Sequence, residues 1–149
     1  MGWTLRPAQV GDFEAVQSLL RTCYLPELFP NQLDEGYIVA EMERELVGVA
    51  GVERHGSYGL LRSVAVNPRL RGSGLGAAMV ADRVAWTERQ GMTSLFLLTM
   101  DAERYFVRQG FVRLERDAAP AEIQASSQFM DLCPASAVLM KLVGRLGPD

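Results

Sequence analysis

Gly72-Ser73-Gly74-Leu75-Gly76 is the stretch of this sequence best equipped for chemistry, because it joins an apolar run, Leu60 to Val66, to a helical pattern that starts near Gly74. Glycines let backbone N–H groups come close to a phosphate, a helix N-terminus behind them carries partial positive charge, and Arg69 and Arg71 add full charges. The turn reads as a site for a phosphate-bearing ligand. Two carboxylates come next. Glu53 closes an apolar run and Glu41 lies in the run before it, and either can serve as a general base for an amine; Glu53 is the first choice. Arg62 interrupts a row in which Leu60, Arg62, Val64 and Val66 share one strand face by period-two alternation. A guanidinium there is costly unless an internal carboxylate or an anionic group of a substrate meets it, and the second is preferred. His55, the only histidine, falls in a polar turn where solvent exposure is expected. Cys23 and Cys133 have no CxxC or Cys/His spacing, which argues against a zinc site or a disulfide framework, and no metal is expected. Cys23 falls in the apolar register of a helix end and is expected in the core.

Which phosphate ligand is meant depends on what surrounds the loop. Gly72-x-Gly74-x-x-Ala77 formally satisfies the dinucleotide fingerprint, but Asn67-Pro68-Arg69-Leu70 separates strand from glycines, and Phe96 stands about 20 positions on, where an acidic residue is required. No Gly-Lys-Ser/Thr follows, so a Walker loop fails as well. The longer string from Ser63 through Asn67-Pro68-Arg69-Leu70-Arg71-Gly72-Ser73-Gly74-Leu75-Gly76 resembles the acetyl-coenzyme A signature of the GCN5-related N-acetyltransferases (GNAT). Ala102 to Gln109 followed by Gly110-Phe111 resembles that family's second landmark. The resemblance implies that Arg71, Gly72, Ser73, Gly74, Leu75 and Gly76 hold the coenzyme pyrophosphate. It also implies that the backbone of Val64, Ala65 and Val66 serves the pantetheine arm and faces the charge that develops on the thioester oxygen. Phe106 occupies the place of the family's coenzyme-side tyrosine; Tyr105, one residue earlier, is about 100 degrees away around a helix. The proton donor to the departing thiol therefore stays open among water, Cys133 and Ser136.

Pro120-x-x-Ile123, then Gln128-Phe129, then Leu132-Cys133-Pro134-Ala135-Ser136-Ala137-Val138 is similar to the small acetyltransferases of arsenic resistance, themselves similar to short amino-acid N-acetyltransferases. The implied cosubstrate is acetyl-CoA and the implied partner a small-molecule, amino-acid-like amine, contacted by Arg62, Phe29, Cys133 and Ser136. A homodimer is left open as the assembly. Two other classes stay open: a non-catalytic acyl-CoA sensor, which would keep the loop and lose the base, and a nicotinamide-dependent oxidoreductase.

The elements that must position these residues fit within 149 residues, read as one domain, 1–149. Fifteen basic and eighteen acidic side chains give a net charge of -3 without a basic block, which argues against nucleic acid as a partner. The N-terminus lacks an apolar signal core, and apolar runs such as Leu46 to Val52 fall short of the roughly 20 residues of a membrane span, so a cytoplasmic location and no membrane contact are expected. Trp3 to Arg6 reads as a strand ended by Pro7, Gln9 to Thr22 as a helix, and Tyr24 to Gly36 as an irregular apolar loop; the family resemblance implies that this loop forms one wall of the acceptor pocket, and the alternative is that its side chains only cap the core. Tyr37–Ala40, Leu46–Val52 and Gly59–Val66 form an antiparallel meander. A helix to about Gly91, the buried strand Ser94–Met100, the helix Ala102–Gln109, the strand Phe111–Leu114 and a strand within Ala135–Val143 complete an α/β (α+β) fold. Its sheet is mixed, mostly antiparallel and flanked by helices.

Overall fold

The computed structural model describes residues 2–132, 136–144 and 146. Seven strands, β1 (Thr4–Pro7), β2 (Tyr37–Met42), β3 (Glu45–His55), β4 (Tyr58–Val66), β5 (Ser94–Thr99), β6 (Phe111–Leu114) and β7 (Val138–Leu142), form one sheet in the order β1-β2-β3-β4-β5-β7-β6. Pairing is antiparallel for β1–β2, β2–β3, β5–β7 and β6–β7, and parallel for β4–β5. The helices are α1 (Phe13–Thr22), α2 (Leu75–Arg89), α3 (Glu103–Arg108) and α4 (Ala121–Gln124). Parallel neighbours need a long crossover, and the glycine loop with α2 supplies it. Among the described residues, no helix is long and apolar enough to cross a membrane.

The chain divides into two compact units, Met1–Val52 with Ser63–Arg83, and Glu53–Arg62 with Val84–Asp149. In the first unit, β2 alternates as a strand with two covered faces should. Tyr37 and Val39 join Val16, Leu19 and Leu20 of α1, while Ile38 and Ala40 join Leu75 and Met79 of α2. The helix expected from Gln9 begins later, at Phe13, behind a 3₁₀ turn at Val10–Asp12. The reason is Asp12, whose carboxylate accepts from the Gln9 N–H (2.8 Å) and from both terminal nitrogens of Arg6 (2.9 Å each). The apolar loop after α1 is pinned by Gln17, which donates to the Leu28 carbonyl (2.9 Å) and accepts from the Leu28 N–H (2.8 Å) in the core.

In the second unit, Leu60, Phe96, Leu98 and Leu139 pack with Ala119 and Ile123. β5 is buried from Leu95 to Thr99, as expected of a strand covered on both faces. The β4–β5 ladder runs from Tyr58↔Ser94 to Leu61↔Leu97. Beyond it, Ser63 adopts φ 59°, in the left-handed region. Such a residue interrupts the two-residue period of a strand, so the single row expected of Leu60, Arg62, Val64 and Val66 breaks there, and Gly59 through Ser63 are buried without alternation.

Candidate active site

The glycine loop lies in the first unit, where Asn67 starts it by accepting the Arg69 N–H on its side chain (3.0 Å) and so caps the 3₁₀ turn Pro68–Leu70. Gly72 (φ 80°) and Gly74 (φ 92°) take left-handed backbone conformations that glycine adopts without cost. A Cβ built on either would meet nothing within 4 Å, so the space before the loop is open. The first N–H groups of α2 have no intrahelical acceptor, as at any helix start, and Ala78 is the first to bond back, to Gly74 (3.0 Å). Leu75 N–H reaches only the Ser73 hydroxyl, at 3.4 Å. Open amides at a helix N-terminus fit a pyrophosphate. The two arginines differ: Arg69 is spent on Glu45 (2.7 Å), whereas Arg71 has no carboxylate partner among the described residues and its Nη2 lies 3.8 Å from Cys23 Sγ. Cys23 sits at the end of α1 against the core as expected, with its thiol 3.6 Å from the Val66 carbonyl oxygen. Ala65 is buried on the α1 side of β4, and Val64 and Val66 pack with Leu75 and Met79.

The second unit holds the charged cluster. Arg62, 1 % exposed at its side chain, donates from Nη1 to Glu53 Oε2 at 2.7 Å, and His55 Nε2 lies 3.2 Å from Glu53 Oε1. Glu53 therefore engages both oxygens. Burial alone would push its carboxyl up, but the His55 hydrogen bond together with the charge and hydrogen bond of Arg62 outweighs that, and the net shift is downward, favouring the carboxylate. His55 departs from its expected exposure, being only about a quarter exposed. The signal was in the sequence: Glu53 and His55 are two apart on a strand and so share a face. Glu41, the reserve base, sits in the first unit 3.5 Å from Arg6 Nε.

The remaining candidates sit on other elements. Phe106 is buried, edge-on to Tyr105 (5.1 Å between ring centres) and Phe111 (5.8 Å). Tyr105 shows what spacing alone did not: its hydroxyl is buried without a hydrogen-bond partner among the described residues, and burial raises its pKa, so it stays protonated. Phe29 is 69 % exposed, available to a ligand, and Ser136 is exposed with its hydroxyl 3.9 Å from Met100 Sδ. Cys133 lies outside the described residues.

Residues 8–111 match the profile of the Acetyltransferase (GNAT) family. The chain belongs to that family. Acetyl-CoA is the cosubstrate that goes with it, and the open amide loop with Arg71 fits the phosphates of such a molecule. No curated protein matches the GNAT chain in sequence. Among solved structures it is similar to Rv2747 from Mycobacterium tuberculosis, solved with CoA, at 25 % identity over 95 % of this chain and 99 % of that one, TM-score 0.80. N-acetylglutamate synthase from Neisseria gonorrhoeae, solved with CoA and N-acetyl-glutamate, superposes at TM-score 0.84 and 19 % identity. The match covers 98 % of this chain and 35 % of the synthase, so the GNAT chain spans about a third of that protein. Ard1 from Thermoplasma volcanium matches end to end, 100 % of both chains, at 19 % identity and TM-score 0.76. At these identities the synthase and Ard1 establish the fold they share with this chain.

Proposed function

We propose that the protein moves the acetyl group of acetyl-CoA to the amine of a small amino-acid-like acceptor, with Glu53 as the proton-accepting group. The observation that carries this reading is the Arg62–Glu53–His55 chain, in which a buried guanidinium holds a carboxylate ionised and a partly exposed imidazole touches its other oxygen. A sensor that only binds acyl-CoA has no use for such a device.

Bound acetyl-CoA supplies the activated acetyl thioester. The chain's own residues do the rest. An alkyl ammonium has a pKa near 10 and must lose its proton before it can attack. Glu53 accepts that proton, and His55, in contact with Oε1, offers it a way to solvent. Arg62 keeps Glu53 charged and oriented, as a positioning residue. The amides of Gly72, Gly74 and the first turn of α2 take the phosphates, and the backbone of Val64–Val66 serves the pantetheine arm and the thioester oxygen. Tyr105, a buried protonated phenol on α3, is the acid suited to the departing thiolate.

The acceptor class rests on the similarity of Pro120–Val138 to amino-acid and arsenic-resistance acetyltransferases, and an arsenic-containing amino-acid analogue is its narrowest form. Phe29, Cys133 and Ser136 are the acceptor contacts in this reading, and a cytoplasmic location goes with the supply of acetyl-CoA. The test is Glu53→Gln. Turnover on an amino-acid panel should fall by about 10²- to 10⁴-fold, while calorimetry gives unchanged acetyl-CoA affinity. Equal turnover would dismiss Glu53 as base. Saturable acetyl-CoA binding by the unaltered protein, with no turnover of any amine, would favour the sensor.

A further inference from the structure

Lys141 is the only lysine in the chain. It stands in β7, a strand paired on both sides, opposite Phe96 of β5 and Val112 of β6. By strand alternation it shares a face with Leu139, which packs in the core beside Ala119 and Ile123. Lys141 itself is only partly buried, so its apolar stem packs in that row while its ammonium stays accessible. Among the described residues no carboxylate pairs with that ammonium, which lies 5.9 Å from the centre of the Phe96 ring.

The structure leaves room for an anionic ligand beside it. An open pocket of about 430 Å³, formed wholly within the second unit, is lined by Lys141, Tyr58, Phe96 and Pro120, with Thr93 and Ser94 also on its wall. That volume suits a molecule of one or two rings, since small-molecule sites run from about 300 to 1,000 Å³. Tyr58 and Phe96 stand edge to face, 6.0 Å between centres and 76° between planes, and so offer an aromatic corner against which a planar ring can lie. Thr93 donates its hydroxyl proton to the Ser57 carbonyl (3.2 Å) and keeps its lone pairs, so the donors left for an anion are Lys141 and Ser94. None of these groups belongs to the glycine loop or to the Glu53 cluster.

We propose that this pocket is a second small-molecule site, for an aromatic carboxylate whose ring lies against Tyr58 and Phe96 and whose carboxylate meets Lys141. The aromatic corner selects the ring, and the ammonium, which no carboxylate pairs among the described residues, selects the negative charge. The site does not rest on the acetyl-transfer reading, and acetyl-CoA binding plays no part in its test.

A chain with a single lysine makes occupancy easy to read, because acetic anhydride has one side-chain amine to modify and peptide mapping separates it from the N-terminus. Indole-3-acetate is the probe, with cyclohexylacetate (charge without an aromatic ring) and 3-methylindole (ring without charge) as controls. Indole-3-acetate should protect Lys141 saturably and show matching affinity by calorimetry, and both controls should bind at least about 10-fold more weakly. Lys141→Met keeps the apolar stem and should lose about 10-fold or more in affinity. Lys141→Arg keeps the charge and should retain binding, which guards against a folding artefact. Absence of saturable protection, controls that bind as well as the probe, or equal affinity in Lys141→Met at an unchanged melting temperature would each overturn the proposal.

Discussion

Replacing Arg62 by Met removes the cation beside Glu53 and keeps most of the stem's volume, so the carboxylate stays buried and loses its charged partner. The contact is 2.7 Å long between side chains 1 % and 17 % exposed. A hydrogen bond to a charged group is worth about 1.5–3 kcal/mol, and at about 1.36 kcal/mol per pH unit that amounts to roughly 1–2 units. With burial pushing the Glu53 carboxyl up and Arg62 gone, its pKa rises. The acid limb of kcat/KM for the acceptor, followed by thiol release at saturating acetyl-CoA, should therefore move up by about 1–2 pH units. Stability moves with the same sign. In the parent, the depressed folded-state value gives a stabilisation fully present above the ordinary carboxylate range and lost as pH falls through the folded value. The variant lacks that contribution. Both residues keep further partners, so breaking the pair should cost roughly 3 kcal/mol, the low end for a buried pair, or about 6–12 °C in Tm. A raised acceptor KM with the acid limb and Tm both unmoved would refute this reasoning and return Arg62 to direct contact with an anionic group of the acceptor.

Gly74→Glu should abolish acetyl-CoA binding by calorimetry, since it forces a side chain into φ 92° and sets a carboxylate among the amides; a folded variant of parental affinity would remove the phosphate assignment. Gln17→Leu leaves the Leu28 N–H and carbonyl buried without partners, and at about 1–3 kcal/mol per orphaned group it should lower Tm clearly; an unchanged melt would mean that apolar contacts alone hold the loop after α1. Tyr105→Phe deletes a hydroxyl that has no partner, so Tm should hold or rise by up to about 1 kcal/mol equivalent, while kcat falls if the phenol serves the departing thiolate; a lower Tm with unchanged kcat would make the hydroxyl structural.

What the sequence determined by itself was local. Two glycines that must take positive φ, a Pro-containing turn before them and the start of the helix behind them all lie between Asn67 and Leu75, and backbone sterics act at that range. β-rich apolar runs split by polar turns located the meander, and a continuous apolar run located the fully buried β5, for the same reason. The start of α1 moved because Asp12 is claimed by Arg6, from another element. Partnerships of charge were decided only by the tertiary structure: Arg69 and Arg71 look alike in sequence, yet Glu45, 24 residues away, takes one and leaves the other. Arg62 posed two possibilities in the sequence, and the fold sets Glu53 at 2.7 Å from it, a carboxylate that spacing had not paired with it. His55 read as a turn residue and became the second contact of that carboxylate, and Phe106 sat in a coenzyme motif and packs on Phe111. Lys141, one cation in an ordinary strand, stands out only because the described residues around it supply aromatic rings and no carboxylate partner. Backbone preference is a property of a residue and its neighbours; desolvation and pairing belong to whatever distant segments fold into the same space.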